Sequence, residues 1–149
     1  MKKRTYIIAF LFFIIDLISK QVVTHFLTLN KDVLIIKNFF YLTYTKNNGA
    51  AWSILQDQRI PLLILTVIAL FIIYKNLKND YLSKAEDFAY GMLIGGILGN
   101  FWDRLINGTV IDFLNFYIFG YNFPIFNLAD TFIVIGIILV IILNIRKDK

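Results

Sequence analysis

The sequence predicts an all-α membrane protein: four transmembrane helices, a small β-sheet cradle outside the membrane and an aromatic-rich outer loop. Of the 149 residues, 58% are hydrophobic and 17% are charged, whereas soluble domains have about 45–50% apolar and about 25% charged residues. Four stretches approach the ~20 apolar residues that a helix needs to cross a bilayer. They lie at about 6–26, 60–77, 88–106 and 125–145. We expect residues 1–149 to form a single membrane domain.

The ends of these stretches carry helix signals. Pro61 lies at the start of the second stretch and Pro124 just before the fourth, where a helix tolerates a missing N–H. The first stretch also has a competing interpretation, because basic residues before an apolar run are typical of a secretory signal. Asp16 and Lys20 interrupt that run, and no small-residue cleavage site follows it. We therefore expect a retained first helix.

Basic residues flank the predicted helices in three clusters. They are Lys2, Lys3 and Arg4; Lys75, Lys78 and Lys84; and Arg146, Lys147 and Lys149. With an even number of spans the three clusters lie on one side of the membrane, which the positive-inside rule makes cytoplasmic. Both termini are then cytoplasmic and the two longer loops face outward. The net charge of +5 reflects this topology and attraction to anionic lipids, so no nucleic-acid partner is expected.

The composition also limits the chemistry. The chain has no cysteine, which excludes disulfides, thiolate nucleophiles and cysteine-ligated metals. A Ser-His-Asp triad would depend on His25, the single histidine, and a metal site would have almost no imidazole ligands. His25 and Ser53 have no evident partner in the sequence. We expect no metal or other cofactor, and we expect any hydrolysis to depend on carboxylates.

The two outer segments differ in pattern. The first has β-branched and aromatic runs at 33–36 and 39–45, followed by Asn48-Gly49, and it predicts a small antiparallel sheet with a turn near Asn48-Gly49. The second, residues 113–123, carries six aromatic residues, which typically lie at the lipid headgroup level. It predicts either an anchoring belt or a flap over a site that opens sideways to lipid.

The third stretch is rich in glycine. Gly91, Gly95 and Gly99 recur every fourth residue, with Gly96 beside them. In lipid, small residues at this spacing let two helix backbones approach closely. The pattern favours packing among the four helices, and a second possible use is room for a substrate segment.

Polar residues inside the apolar stretches converge at one depth. Asp16 and Lys20 are four residues apart and predict a structural ion pair. A second group lies near the outer ends of the third and fourth helices, with Asn127 and Asp130 expected one turn into the fourth: Asn100, Asp103, Arg104, Asn127 and Asp130. Asp112, in the intervening segment, can fold back to the same level. A packing network explains such a cluster less well than an active or transport site.

Asp112 and Asp130 are suited to acid–base chemistry. Two carboxyl groups around one water cannot both ionise easily, so one acts as base while the other stays protonated. The base would activate a water that attacks a peptide carbonyl, and the acid would protonate the leaving nitrogen. Asn100, Arg104 and Asn127 carry donors for substrate carbonyls or the developing oxyanion.

Two other classes of function use the same residues. Buried carboxylates could relay protons or bind cations in a transporter or small channel, and a noncatalytic partner of an export complex is a third possibility. Against a transporter, the four spans show no inverted repeat and no polar stripe through the membrane. A protease would cleave a precursor, whereas a transporter would carry protons across a membrane without cleaving it.

Five segments, in chain order, carry a resemblance to a known family. They read DLISK at 16–20, NNGAAWS at 47–53, GGILGNFWDR at 95–104, VIDF at 110–113 and FPIFNLAD at 123–130. In these segments the chain resembles the bacterial lipoprotein signal peptidases, also called signal peptidase II, nearly from end to end. Trp52 stands where phenylalanine is more usual, a change that keeps an aromatic ring.

The resemblance implies a membrane aspartic endopeptidase of the bacterial cytoplasmic membrane. Its activity would remove the signal peptide of a prolipoprotein before a diacylglyceryl-modified cysteine, near the outer face. The family's catalytic aspartates fall on Asp112 and Asp130. Its supporting and substrate-binding positions fall on Asn47, Gly49, Asn100, Asp103, Arg104, Asn127 and Ala129, with Asp16 and Lys20 as a polar pair. The implied partners are the lipid-modified precursor and membrane lipids, and we expect a monomer.

Overall fold

The computed structural model describes residues 3–49, 54–79 and 82–147. Its elements in chain order are α1 (Lys3–Phe26), β1 (Asp32–Ile36), β2 (Phe40–Asn47), α2 (Arg59–Asn79), α3 (Lys84–Asn107), β3 (Val110–Ile118), β4 (Tyr121–Asn122) and α4 (Leu128–Lys147). In this part of the chain the fold is mixed, with four helices and a four-stranded antiparallel sheet. The all-α prediction was therefore wrong in class, because the sheet draws strands from both outer segments.

Three of the described helices are long and apolar enough to cross a membrane. They are α1 over Lys3–Phe26, α2 over Arg59–Leu77 and α4 over Leu128–Arg146. The helix α3 is more polar at both ends, and most of its buried residues face α1 and α4. It is therefore the central helix of the bundle.

The glycines of α3 allow this central position. A Cβ on Gly95 would lie 2.6 Å from the backbone oxygen of Ala9 in α1, and a Cβ on Gly96 would lie 2.5 Å from that of Ala129 in α4. Gly91 likewise meets α1 at Ile8. The predicted use of these glycines in helix packing is confirmed, and the neighbouring helices occupy the space that a substrate segment would need.

The first outer segment forms the predicted strands, but its turn lies elsewhere. The chain reverses at residues 37–39, where Asn38 adopts a φ of 59°, a conformation that asparagine tolerates. Strand β2 then continues to Asn47, which pairs with Val110 of β3. The chain does bend at Asn48-Gly49, as predicted, but there it leaves the sheet; the hairpin reversal is at residues 37–39 instead.

The second outer segment is not a loop. Most of it forms β3, which lies between β2 and β4 in the sheet order β1-β2-β3-β4. The ring of Phe116 stacks on Phe40 of β2 at 4.5 Å and on Phe126 at 5.7 Å. Aromatic residues are common in strands, where cross-strand pairs stabilise the sheet. The predicted loop was therefore wrong, because its aromatic residues belong to a strand that pairs within the sheet.

The fourth helix begins later than predicted. Phe126 forms backbone hydrogen bonds with Leu114 of β3, including Phe126 N–H to the Leu114 oxygen at 3.1 Å. The helix starts at Leu128, so Asn127 precedes its first turn instead of lying one turn inside it. This shift puts the backbone of Asn127 at the junction between the sheet and α4.

Candidate active site

Asp112 lies on β3 and is almost completely buried, with 2% of its surface exposed. Its Oδ2 accepts a hydrogen bond from Asn47 Nδ2 at 2.9 Å and its Oδ1 accepts one from Asn127 Nδ2 at 2.7 Å. Burial raises the pKa of Asp112 to about 7, and the neighbouring carboxylate of Asp130 adds to this rise. The two amides and the charge of Lys20 act in the opposite direction on this pKa. Asp112 can therefore exchange a proton near neutral pH.

Asp130 is held in the first turn of α4. Its backbone N–H donates to Asn127 Oδ1 at 2.9 Å, and its Oδ2 accepts the backbone N–H of Asn127 at 3.2 Å. This reciprocal pair has the form of a capping box, in which the residue before the helix and the third helical residue satisfy each other. Asn100 Nδ2 donates to the remaining oxygen, Oδ1, at 2.7 Å. Both oxygens of Asp130 thus have fixed partners.

Asn127 contacts both aspartates. The side chain of Asn127 is fully buried; its nitrogen donates to Asp112 and its oxygen accepts from the backbone of Asp130. Its nitrogen also lies 3.0 Å from Asn100 Oδ1. Because the same planar group contacts both segments, it fixes Asp112 relative to the first turn of α4.

Arg104 brings a positive charge to this pair. Its Nη2 donates to the backbone oxygen of Gly49 at 2.8 Å, and its charge faces Asp130, Asp112 and Asp103. Its Nε is buried and has no hydrogen-bond partner among the described residues.

Asp16 and Lys20 form the ion pair that their spacing predicts, with Nζ 2.7 Å from Oδ2. Lys20 also lies 2.9 Å from Asp103 Oδ2, so the pair is part of a larger cluster between α1 and α3. The second oxygen of Asp16 accepts the backbone N–H of Ala129 at 2.9 Å. The polar pair of the first helix therefore reaches the residue beside Asp130.

A cavity of about 760 Å³ opens beside the carboxylates. Its polar lining includes Asn47, Asp112 and Asp130, and its apolar lining includes residues 123–126 and 133–135. A second cavity of about 310 Å³ lies among α2, α3 and α4 and also reaches Asp130. The described residues thus present both polar groups and apolar walls to one ligand.

The sequence predicts that the polar residues of the third and fourth helices lie together with Asp112. In the structure these residues lie at one site. Residues 50–53, which include Trp52 and Ser53, lie outside the described residues. Sequence reasoning missed Thr45 and Gln56, which line the large cavity. No local signal could identify them, because Thr45 reaches the site through its pairing with Asp112 across the sheet.

Coupled carboxyl groups beside a cleft among apolar helices are typical of a membrane enzyme of the aspartic peptidase class. The family model described as Signal peptidase (SPase) II, Peptidase A8, matches residues 8–146, and the chain belongs to this family. It is an aspartic signal peptidase, and its substrates are prolipoproteins from which it cleaves the signal peptide.

Two solved structures are similar to the chain, and each is described as a bacterial membrane enzyme. The first is 36% identical with a TM-score of 0.87, and the match covers 97% of this chain and 89% of that one. The second is 37% identical with a TM-score of 0.81, and the match covers 93% of this chain and 90% of that one. The similarity thus extends over nearly the whole molecule.

Proposed function

We propose that Asp112 and Asp130 are the catalytic residues, and that the bond they cleave precedes a cysteine already bearing a diacylglyceryl group. The observation that supports this most directly is the amide of Asn127, which contacts both segments. Two carboxyl groups held in this way can share one water and one proton.

The environments of the two aspartates decide which one is protonated. Asp112, with its pKa raised to about 7 by burial, is the acid. Asp130 lies in the first turn of α4, where the helix dipole favours a negative charge, and is the base. Asp130 takes a proton from water, and the water oxygen bonds to the peptide carbonyl carbon. Asp112 donates its proton to the peptide nitrogen. The C–N bond then breaks, and the cysteine leaves with a free amino group.

The neighbouring donors hold the substrate. Arg104 lines the cavity, so its guanidinium can bind a substrate carbonyl or the developing oxyanion, while Asn100 and Asn127 keep the carboxylates in place. Asn47 lines the cavity on the β2 side, and Gly49 holds Arg104 in place through its backbone oxygen. The apolar walls at 123–126 and 133–135 suit a lipid-bearing substrate that enters sideways from the bilayer.

The orientation in the membrane follows from length and charge. The helix α3 has 24 residues, about 36 Å at 1.5 Å per residue, and it is the fourth transmembrane span beside the three more apolar ones. The three basic clusters then lie on the cytoplasmic side with both termini, and the site lies near the outer face. We propose that residues 1–149 act as one peptidase domain and as a monomer, in contact with membrane lipids.

The test compares two active-site variants with a matched control. Asp112→Asn and Asp130→Asn should remain folded in detergent and release no signal peptide from a purified diacylglyceryl-modified precursor. The control is Asp87→Asn: Asp87 is also a buried aspartate, bonded to Thr5 at the other end of α1 and α3, and its loss should leave cleavage intact. Full cleavage by either active-site variant would overturn the assignment, and proton flux in liposomes without any cleavage would favour a transporter.

A further inference from the structure

One buried ammonium group contacts three acceptors at the junction of α1 and α3. Lys20 is 2% exposed, and its Nζ lies 2.7 Å from Asp16 Oδ2 and 2.9 Å from Asp103 Oδ2. It also donates to Asn100 Oδ1 at 3.1 Å. An ammonium group has three donors, and all three are used. Lys20 is therefore the centre of a closed polar cluster.

Two of these contacts lead to Asp130. Asp16 uses its other oxygen to accept the N–H of Ala129 at 2.9 Å, which fixes the backbone one residue before Asp130. Lys20 and Asn127 both donate to the amide oxygen of Asn100, so its amide nitrogen points away from them and donates to Asp130 Oδ1 at 2.7 Å.

The third contact leads to Asp112. Asp103 Oδ2, which contacts Lys20, accepts the backbone N–H of Ile111 at 3.3 Å. Ile111 immediately precedes Asp112 on β3. Each carboxylate that contacts Lys20 thus holds the residue before one of the two aspartates, on two different elements.

We infer that Lys20 is a positioning residue that fixes the separation of the two catalytic carboxylates. It holds the start of α4 through Asp16 and β3 through Asp103. This inference rests on the proposed roles of Asp112 and Asp130, and it assigns to Lys20 more than the structural ion pair that the sequence predicts.

The space around the cluster is fitted to it. A Cβ on Gly99 of α3 would overlap Asp16 Oδ2, so only glycine leaves room for this carboxylate between α1 and α3. A buried ion pair is a poor source of stability, because desolvation offsets much of the attraction. Two buried carboxylates around one ammonium are better explained by the need for fixed geometry.

The charge of Lys20 also has a measurable effect on Asp112. Among the described residues, the charges that act on that carboxyl come from Asp130 on α4, Lys20 on α1 and Arg104 on α3. Lys20 lowers the pKa of Asp112, so its removal raises that pKa further. Asp112 then stays protonated to higher pH, and the decline of the cleavage rate at alkaline pH shifts to higher pH.

The experiment uses Lys20→Met in the full-length chain, with kcat, KM and the pH profile measured on the diacylglyceryl-modified precursor. We expect kcat to fall by about 100-fold, the effect of a small misplacement of reacting groups, with KM little changed. Asp87→Asn is the matched control, because it also removes a buried charge between α1 and α3. It should lower only thermal stability.

A second pair of variants keeps the test decisive if Lys20→Met does not fold. Asp16→Asn retains an oxygen for the N–H of Ala129, whereas Asp16→Ala does not, so the first should retain a higher kcat per folded molecule. Equal kcat in this pair, or wild-type kcat and pH profile in folded Lys20→Met, would overturn the inference. Cleavage by Asp112→Asn would instead overturn the proposed catalytic roles, independently of Lys20.

Discussion

The stability of the protein should depend on pH through Asp112. Its pKa is 3.8 in the unfolded reference and about 7 in the folded protein, because of burial and the neighbouring Asp130. Between these values the folded state binds a proton that the unfolded state does not, so the free energy of unfolding falls as pH rises. Each pKa unit corresponds to about 1.4 kcal/mol, so above about pH 7 the ionised carboxylate costs about 4 kcal/mol.

Asp112→Asn removes this cost and introduces a smaller one. One of the two oxygens becomes an NH2 group that faces the donor of Asn47 or Asn127, which costs about 1–2 kcal/mol. The difference in the free energy of unfolding between the variant and the wild type should therefore increase by about 3 kcal/mol, in favour of the variant, from about pH 5 to about pH 8.5. For a chain of this length that corresponds to a difference of roughly 6–12 °C in Tm.

The assay is thermal unfolding in detergent across this pH range. Asp57→Asn, which removes an exposed carboxylate outside the helices, controls for the loss of one negative charge. If Asp112→Asn follows the wild type at every pH, or loses stability as pH rises, then burial does not disfavour the charged form of Asp112 and the reasoning is refuted.

Three further predictions concern activity and packing. The cleavage rate of the wild type should fall above about pH 7, as Asp112 loses its proton; a rate that stays level to about pH 9 would contradict its role as the acid. Gly99→Ala should displace Asp16 and cost about 1–3 kcal/mol in unfolding experiments, and unchanged stability would show that the cluster has spare room. Asn127→Ala should remove the cap of α4 and lower the free energy of unfolding by about 1 kcal/mol. The cleavage rate should fall far more than the lost fraction of folded protein explains. A fall in rate that matches the loss of folded protein would argue against a role of Asn127 in holding the two aspartates together.

Much of the bundle could be predicted because its signals are local. The length of each apolar stretch indicates a helix directly, and the glycine spacing in α3 indicates close packing on its neighbours. The exact bounds depend on contacts that the sequence does not reveal. Phe126 belongs to the sheet because it pairs with Leu114, and this long-range pairing delays the start of α4 to Leu128.

Part of the site could likewise be predicted from local spacing, and part depends on long-range contacts. The spacing of Asn100, Asp103 and Arg104 predicts one polar face of a helix, and the structure has that face. The contact between Lys20 and Asp103 depends instead on the register of α1 against α3. That register is set where the glycines of α3 meet the α1 backbone, as at Gly95 against Ala9, so no spacing within either helix alone could predict it.

The most direct measurement is a crystal structure of the enzyme with a peptide analogue whose scissile bond is replaced by a tetrahedral hydroxyl group. That hydroxyl takes the position of the attacking water. We predict that its oxygen lies within about 3.2 Å of a carboxyl oxygen of both Asp112 and Asp130. A hydroxyl that contacts only one of the two, with the other directed elsewhere, would contradict catalysis by a shared aspartate pair.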